Sequence, residues 1–510
     1  MPGIKSESKL KTVSPISRCS RPARRPGFFL ILAGCLLLLA SACVSHGQPA
    51  FQTVPAGSFL MDGFGRLAGK GVFQPLAASD FRMGRSFTRT ELAGVLLDSR
   101  TAIRESGITL PPEDQALLAA LARDLAPELQ WLGGTPESVT PPLGEVTSGS
   151  IWTGWLYGEA AQRDSAPDQK IGAPELTLLG VSGNLHYGGS LTGKRRVTDS
   201  QVREKFHELD RFYIAGTEKN YRWELGRTNQ WVGAASTGSL WLGDSSPSMY
   251  TGRLDAEIDL GAFLGKWRVE SLLGGFGEDG RSVYVINRTA RKAIAPDWSV
   301  GVIDSVRTTL TPNPLMLALP SLAYQSLFLS DIDARWNIIM GLEAVYHPTL
   351  ANEAYLQWMV DDINNPFDPG DSVPKKTGIL VGYRHRFGSR LAASSRITIE
   401  YATIDRRSYE ATRAGSPHMA WTRSDLPMAW PFGANNRTLA VNAEHRLSDR
   451  FWLQGGFVEN QVKVGPGRTQ TVTFHPRYDI TPTLSVGLVW QDISGDQSNS
   501  VIGVRALASF

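Results

Sequence analysis

In residues 253–260 every even position is aliphatic (Leu254, Ala256, Ile258, Leu260) and every odd one is charged (Arg253, Asp255, Glu257, Asp259). A β-strand turns successive side chains to opposite faces, so this segment has one apolar face and one wholly ionic face. Residues 266–272 repeat the pattern, with Trp267 and Val269 set against Lys266, Arg268 and Glu270. Residues 396–401 do so with Ile397, Ile399 and Tyr401 against Arg396, Thr398 and Glu400. Short alternating runs separated by turn residues continue over residues 176–510, the pattern of strands that meet lipid on one side and a lumen on the other. A soluble sandwich would also alternate, but with its charged face in water and its apolar face in a core.

The last run favours the membrane reading. Ile502, Val504, Ala506, Ala508 and Phe510 alternate to the final residue, and a terminal aromatic on such a strand resembles the signal read by the outer-membrane barrel assembly machinery. Residues 176–510 are therefore expected to form an all-β transmembrane barrel of about 16–18 antiparallel strands, from roughly ten residues per span plus turns. With both ends in the periplasm, residues 447–450 and 478–482 fall at short periplasmic turns, and residues 362–376 and 407–436 at long outer loops. Lipid and lipopolysaccharide would surround such a barrel in a bacterial outer membrane.

Ahead of it, Arg18, Arg21, Arg24 and Arg25 lead into an apolar run over residues 28–40, too short for a membrane-spanning helix. Ala40, Ser41 and Ala42 follow as a small-residue cleavage site, so residues 1–42 are expected to be a removed signal peptide. Cleavage there exposes Cys43, and the segment resembles a lipobox, making Cys43 a candidate lipidation site. The three cysteines, Cys19, Cys35 and Cys43, all lie in or beside this segment, which leaves the exported domain without disulfides or thiolate metal sites. A net charge of +3 with 20% charged residues gives no sign of a nucleic-acid binder.

Residues 43–132 read as a small helical bundle. Phe59, Leu60, Phe64 and Leu67 recur at helical spacing, and Thr88 with Glu91 forms a capping box ahead of Leu92, Val95 and Leu96. Pro111 and Pro112 open a third helix whose apolar stripe is Leu117, Leu118, Leu121, Leu125 and Leu129. Residues 59–97, with Phe87-Thr88-Arg89-Thr90-Glu91, also resemble an S-layer homology repeat, which implies attachment to peptidoglycan or another wall polymer. A helical plug or pedestal under the barrel is the alternative. Residues 133–175, rich in Gly and Pro, read as a linker.

Within the barrel, Trp223-Glu224-Leu225-Gly226-Arg227, Gln230-Trp231-Val232-Gly233, Gly238-Ser239-Leu240 and Pro247 resemble a segment of the Wzi capsule-assembly proteins. Asp361-Asp362, then Lys375-Lys376-Thr377-Gly378 and Gly382, and later Pro431-Phe432-Gly433-Ala434 ahead of Arg437, are similar to two further stretches of that family. The resemblance covers residues 180–510. It implies a barrel of about 18 strands, closed by a helical bundle at its periplasmic end and acting as a lectin for capsular polysaccharide or other exopolysaccharide. The S-layer-like N-terminal module departs from it.

A lectin needs aromatic faces for sugar rings and cations for acidic substituents. The longest outer loop offers Trp421, Trp430 and Phe432 among Arg406, Arg407, Arg413 and Arg423. The same residues would also suit an interfacial aromatic girdle with arginines on lipopolysaccharide phosphates. The charged strand faces suit a lumen ion-pair network better than a permeation filter. His385, His445 and His475 stand singly, and no nucleophile, metal or cofactor pattern is present, so no cofactor, metal or catalytic set is expected. The rival to a non-enzymatic polysaccharide-binding protein is a porin or substrate-specific channel with a wall-attached module; a barrel hydrolase is a third class.

Overall fold

The computed structural model describes residues 53–509 apart from short stretches, the longest being 136–147, 362–375, 388–394 and 411–418. The expected signal peptide, Cys43, Asp362, Arg413 and Phe510 lie outside the described residues.

Helices come first. α1 (Phe59–Gly69) is capped by the Ser58 hydroxyl, and α2 (Arg89–Ser106) by a complete Thr88–Glu91 capping box. α2 ends at Gly107, whose φ of 65° is the left-handed conformation that glycine adopts without strain. The stripe expected as one third helix is broken into α3 (Pro112–Asp124) and α4 (Ala126–Trp131), because Pro127 at the start of α4 has no amide to continue the helix. Their apolar faces share one core with Phe73, Phe81 and Phe87, and this core reaches Leu179, Val181 and Tyr213 of the barrel wall.

Eighteen antiparallel strands then form a single sheet. In chain order they begin β1 (Ser148–Arg163), β2 (Ala166–Ser182), β3 (Leu185–Thr198), β4 (Gln201–Thr217), β5 (Tyr221–Thr228) and β6 (Met249–Asp259). After the single turn α5 (Gly261–Leu264) come β7 (Lys266–Glu278), β8 (Arg281–Ala295) and β9 (Trp298–Thr308). The short helices α6 (Pro314–Ala318) and α7 (Ser321–Phe328) precede β10 (Trp336–Thr349), β11 (Asn352–Asp361), β12 (Thr377–Phe387) and β13 (Ser395–Ile404). A small hairpin, β14 (Thr422–Arg423) and β15 (Leu426–Pro427), interrupts the wall. It closes through β16 (Asn436–Arg446), β17 (Phe451–Val462), β18 (Arg468–Thr481), β19 (Leu484–Gly495) and β20 (Asn499–Ser509). β1 pairs with both β2 and β20, so the sheet has no free edge, which is what strands in lipid require.

Residues 148–175 correct the linker expectation, because they belong to β1 and β2. Their Gly, Pro and Ala content hides the alternation, and pairing on both sides sets the strands instead: Gly154 lies opposite Leu176 and Tyr157 opposite Ala173.

Outward positions carry exposed Leu254, Ile258, Leu342, Leu356, Ile399, Tyr401, Leu488 and Ile502, an apolar surface suited to hydrocarbon. The inward face is ionic. Asp255 and Glu270 lie directly opposite each other on β6 and β7, and each is neutralised by a diagonal arginine, Arg268 Nε to Asp255 at 2.9 Å and Arg253 to Glu270 at 2.8 Å. At the end where the chain enters β1 and leaves β20, connections such as 296–297, 350–351 and 482–483 are tight. The opposite, loop end carries 229–248, 309–335, 362–376 and 405–435.

Candidate functional site

The helical module is held at the entry end of the barrel by ion pairs to inward-facing arginines. Asp62 lies 3.7 Å from Arg211 on β4, and Asp124 lies 3.1 Å from Arg222 on β5. Glu128 accepts from Arg268 on β7 at 3.1 Å. Glu91, the capping-box carboxylate, accepts from Arg386 on β12 at 2.9 Å and Arg396 on β13 at 3.4 Å. Asp80 pairs with Arg446 at 3.0 Å and with Arg477. Arg89 binds the module together from within, donating to Asp124 at 2.8 Å and Glu128 at 2.9 Å. Burial alone would raise the Asp124 carboxyl, but Arg222 and Arg89 outweigh it and hold it at about 2. A cavity of about 30 Å³ remains in this interface, lined by Leu60, Arg89, Arg222, Glu224, Gln230 and Arg253, with room for about one or two waters.

These contacts bear on the S-layer-like stretch. Phe87, Thr88, Arg89, Thr90 and Glu91 are all buried between the helices and the wall, so the residues that would mark a wall-polymer module are used to dock it into the barrel. The sequence signal for this docking was the inward parity of the strand arginines, expected to join a lumen ion-pair network, with the helical carboxylates not foreseen as their partners.

From the loop end, residues 229–243 fold into the lumen and lie along β10–β13. Ala234 N–H donates to Glu343 at 2.9 Å; Ser236 and Thr237 N–H donate to the two Glu400 oxygens at 2.7 and 2.8 Å. Tyr355 O–H also donates to Glu400, and Gln357 Nε2 to Glu343 at 3.0 Å. Thr53, just ahead of the helices, donates its hydroxyl to Ala235 C=O at 2.9 Å, so the entry-end and loop-end elements touch inside the barrel.

Several of the residues that carry the family resemblance build this seat. Gly233 has φ 106°, and a Cβ there would lie 2.2 Å from the Gln357 amide; a Cβ on Gly238 would lie 2.3 Å from Pro431. Trp231 is buried. Asp361 accepts the N–H of Tyr409 at 2.6 Å, stabilising that residue in a left-handed conformation with φ 68°, and Tyr409 O–H donates to Leu240 C=O at 3.0 Å. Gly226 faces the lumen side of β5 and approaches the β4 backbone closely. Trp223 and Arg227 point the other way: Trp223 lies over Gly216 on the outer wall, and Arg227 sits 5.9 Å from the exposed Tyr250 ring.

The aromatic half of the candidate sugar site needs correction. Trp421 and Trp430 are each only 1% exposed and pack with Trp241, Leu240, Met428 and the inward residues Val285, Ile303 and Ile339. The rings sit inside because the segments around Thr422 and Met428 are pulled into the lumen: Arg307 donates to Thr422 C=O and to Met428 Sδ, and Gly243 N–H to Met428 C=O at 2.7 Å. Phe432 is half-buried against Trp430 at 5.8 Å between ring centroids. Arg423 lies on β14. Arg406 and Arg407 are exposed at the loop end, beside Asp405, which accepts from Lys463 and Thr377. Burial works against the Asp405 charge, but the Lys463 and Thr377 hydrogen bonds hold its carboxyl below the usual range.

His385 and His445 lie on the outward face and His475 on the inward face of the wall. Among the described residues no cluster of His, Cys, Asp or Glu could hold a metal ion.

Fold and interior together define a membrane β-barrel whose lumen is entered by helices from one end and by loops from the other. Among solved structures the chain is similar to Wzi of Escherichia coli, an outer-membrane protein involved in group 1 capsule assembly and a carbohydrate-binding β-barrel. The two share 14% identity with a TM-score of 0.55, over 90% of this chain and 99% of that one. OccK8 (OprE) of Pseudomonas aeruginosa aligns over 71% of this chain and 98% of its own at 9% identity and a TM-score of 0.44. No protein-family profile and no curated protein sequence matches the chain.

Proposed function

We propose that this chain is a non-enzymatic bacterial outer-membrane protein that binds surface polysaccharide, capsular or other exopolysaccharide, and retains it at the cell surface. The single observation that carries the reading is the doubly occupied lumen. A diffusion channel needs an open polar path, whereas here Glu343, Glu400 and Gln357 are committed to loop amides, and Asp124, Glu128 and Glu91 to docking the helical module. The fold shared with Wzi over nearly the whole of both chains agrees with it.

The loop end then faces outward from the cell, and contact with an anionic polymer falls to Arg406 and Arg407, joined by Arg413 and Arg423 on the same loop. Trp421, Trp430 and Phe432 serve by holding that loop in shape. Guanidinium groups suit carboxylate or phosphate substituents through paired hydrogen bonds. Docking into the barrel takes the place of wall-polymer attachment for the helical module.

The test is two measurements on detergent-purified protein. Binding to an immobilised acidic capsular polysaccharide should fall sharply in an Arg406→Ala/Arg407→Ala variant, and planar bilayers should show no large steady conductance. Large, lasting channels in the native protein would sink the proposal and favour a porin.

A further inference from the structure

The wall of β8–β10 carries two apolar clusters on opposite faces. Val285, Ile303 and Ile339 point into the lumen; Ile286, Val306, Trp336 and Ile338 point outward, toward lipid, yet are buried. Their cover is the segment 309–328. Its helices α6 and α7 fold down the outside of the barrel, packing Met316, Leu317, Leu322 and Tyr324 against the wall, with the Tyr324 ring stacked on Trp336 at 5.4 Å. Beneath them lies an ion pair that an uncovered lipid face would reject: Arg288 and Asp304, both at outward positions. Arg288 also donates to Ser321 Oγ at 2.9 Å and to backbone carbonyls of α6, and Ser321 N–H donates to Asp304 at 2.8 Å.

The far side of this helical pair exposes Leu315 (50%), Leu327 (68%) and Phe328 (51%). Residues 309–330 contain no Asp, Glu, Lys or Arg, in a chain that is 20% charged. The exposed side chains extend the lipid-facing surface of the neighbouring strand, where Leu342 is 45% exposed. A solvent-facing loop of such composition would leave these groups in water at a cost that burial in hydrocarbon removes.

We infer that α6 and α7 form a membrane-embedded flank, seated in the acyl chains of the loop-end leaflet, which tethers the barrel laterally and fixes its depth. Short helices with apolar residues on their outer side lie stably at the boundary of headgroups and acyl chains. The inference rests on the barrel spanning a bilayer, and the reference position below separates failure of one from failure of the other.

The experiment labels single-cysteine additions Leu327→Cys and, as the strand reference, Leu342→Cys with an environment-sensitive fluorophore, in full-length protein reconstituted in phosphatidylcholine vesicles. Protein with no added cysteine measures the background from native cysteines. Quenching of both probes by brominated acyl chains, with little quenching by aqueous iodide, is the expected result. Iodide quenching at position 327 with lipid quenching at 342 overturns the flank while leaving the barrel intact. Protection of position 327 from both quenchers, together with disulfide crosslinking of unlabelled Leu327→Cys protein between copies, overturns it in favour of a second copy of the chain as the occupant.

Discussion

Glu128 on α4 lies 3.1 Å from Arg268 on β7 and 2.9 Å from Arg89 on α2. One fully buried carboxylate therefore holds the helical module together and fastens it to the barrel wall, so folding of the module and its docking are linked through the same group.

Replacing that carboxylate leaves two buried guanidinium groups short of charge. Glu128→Gln is expected to destabilise the docked module by about 3–5 kcal/mol, the usual cost of removing one partner from a buried pair. Hydrogen exchange across α1–α4 reads this directly, and unchanged protection would contradict it.

Acid should undock the module late. Asp124 has a folded-state value of about 2 against an ordinary 3.8, so its stabilisation is complete above the unfolded value and disappears as pH falls through the folded one. Pepsin cleavage within residues 59–131 should be slight near pH 4.5 and should rise between roughly pH 4 and 2. In Asp124→Asn protein, cleavage should already be fast at the upper pH.

Trp421→Ala and Trp430→Ala each open a cavity in the packed loop-end core and should cost about 3–5 kcal/mol. Loosening of loop 405–435 then raises bilayer conductance. If either variant lost polysaccharide binding with unchanged stability and no conductance, the rings would be sugar contacts after all.

Beneath the outer helices, Arg288→Met alone should destabilise by about 3–5 kcal/mol, whereas Arg288→Met combined with Asp304→Leu should be close to neutral, because the desolvation cost of both charges goes with them. The heat-induced shift in gel mobility of the folded barrel provides the comparison.

Gly233→Ala should displace loop 229–248, since φ 106° is closed to alanine and its Cβ would meet Gln357. A loss of about 1–3 kcal/mol is expected, with faster protease cleavage in the loop; an unaltered digestion pattern would show that the loop sits elsewhere.

The amino-acid pattern alone told which side of β6, β7, β13 and β20 meets lipid, because a period of two assigns every side chain of a regular strand once one face is known. It likewise fixed the helix start at Thr88, where a hydroxyl meets free amides within a few residues. These are local relationships. Where the long connections go depends on contacts distant in sequence. Residues 229–243 and the segments around Tyr409 and Thr422 turned inward because Glu343, Glu400, Asp361 and Arg307, distant in sequence, supply partners for their backbone groups. Residues 309–328 turned outward to cover Arg288 and Asp304. Trp421 and Trp430 look the same in sequence whether a loop stands in water or fills a lumen, and only closure of the barrel brings the surfaces that bury them into reach.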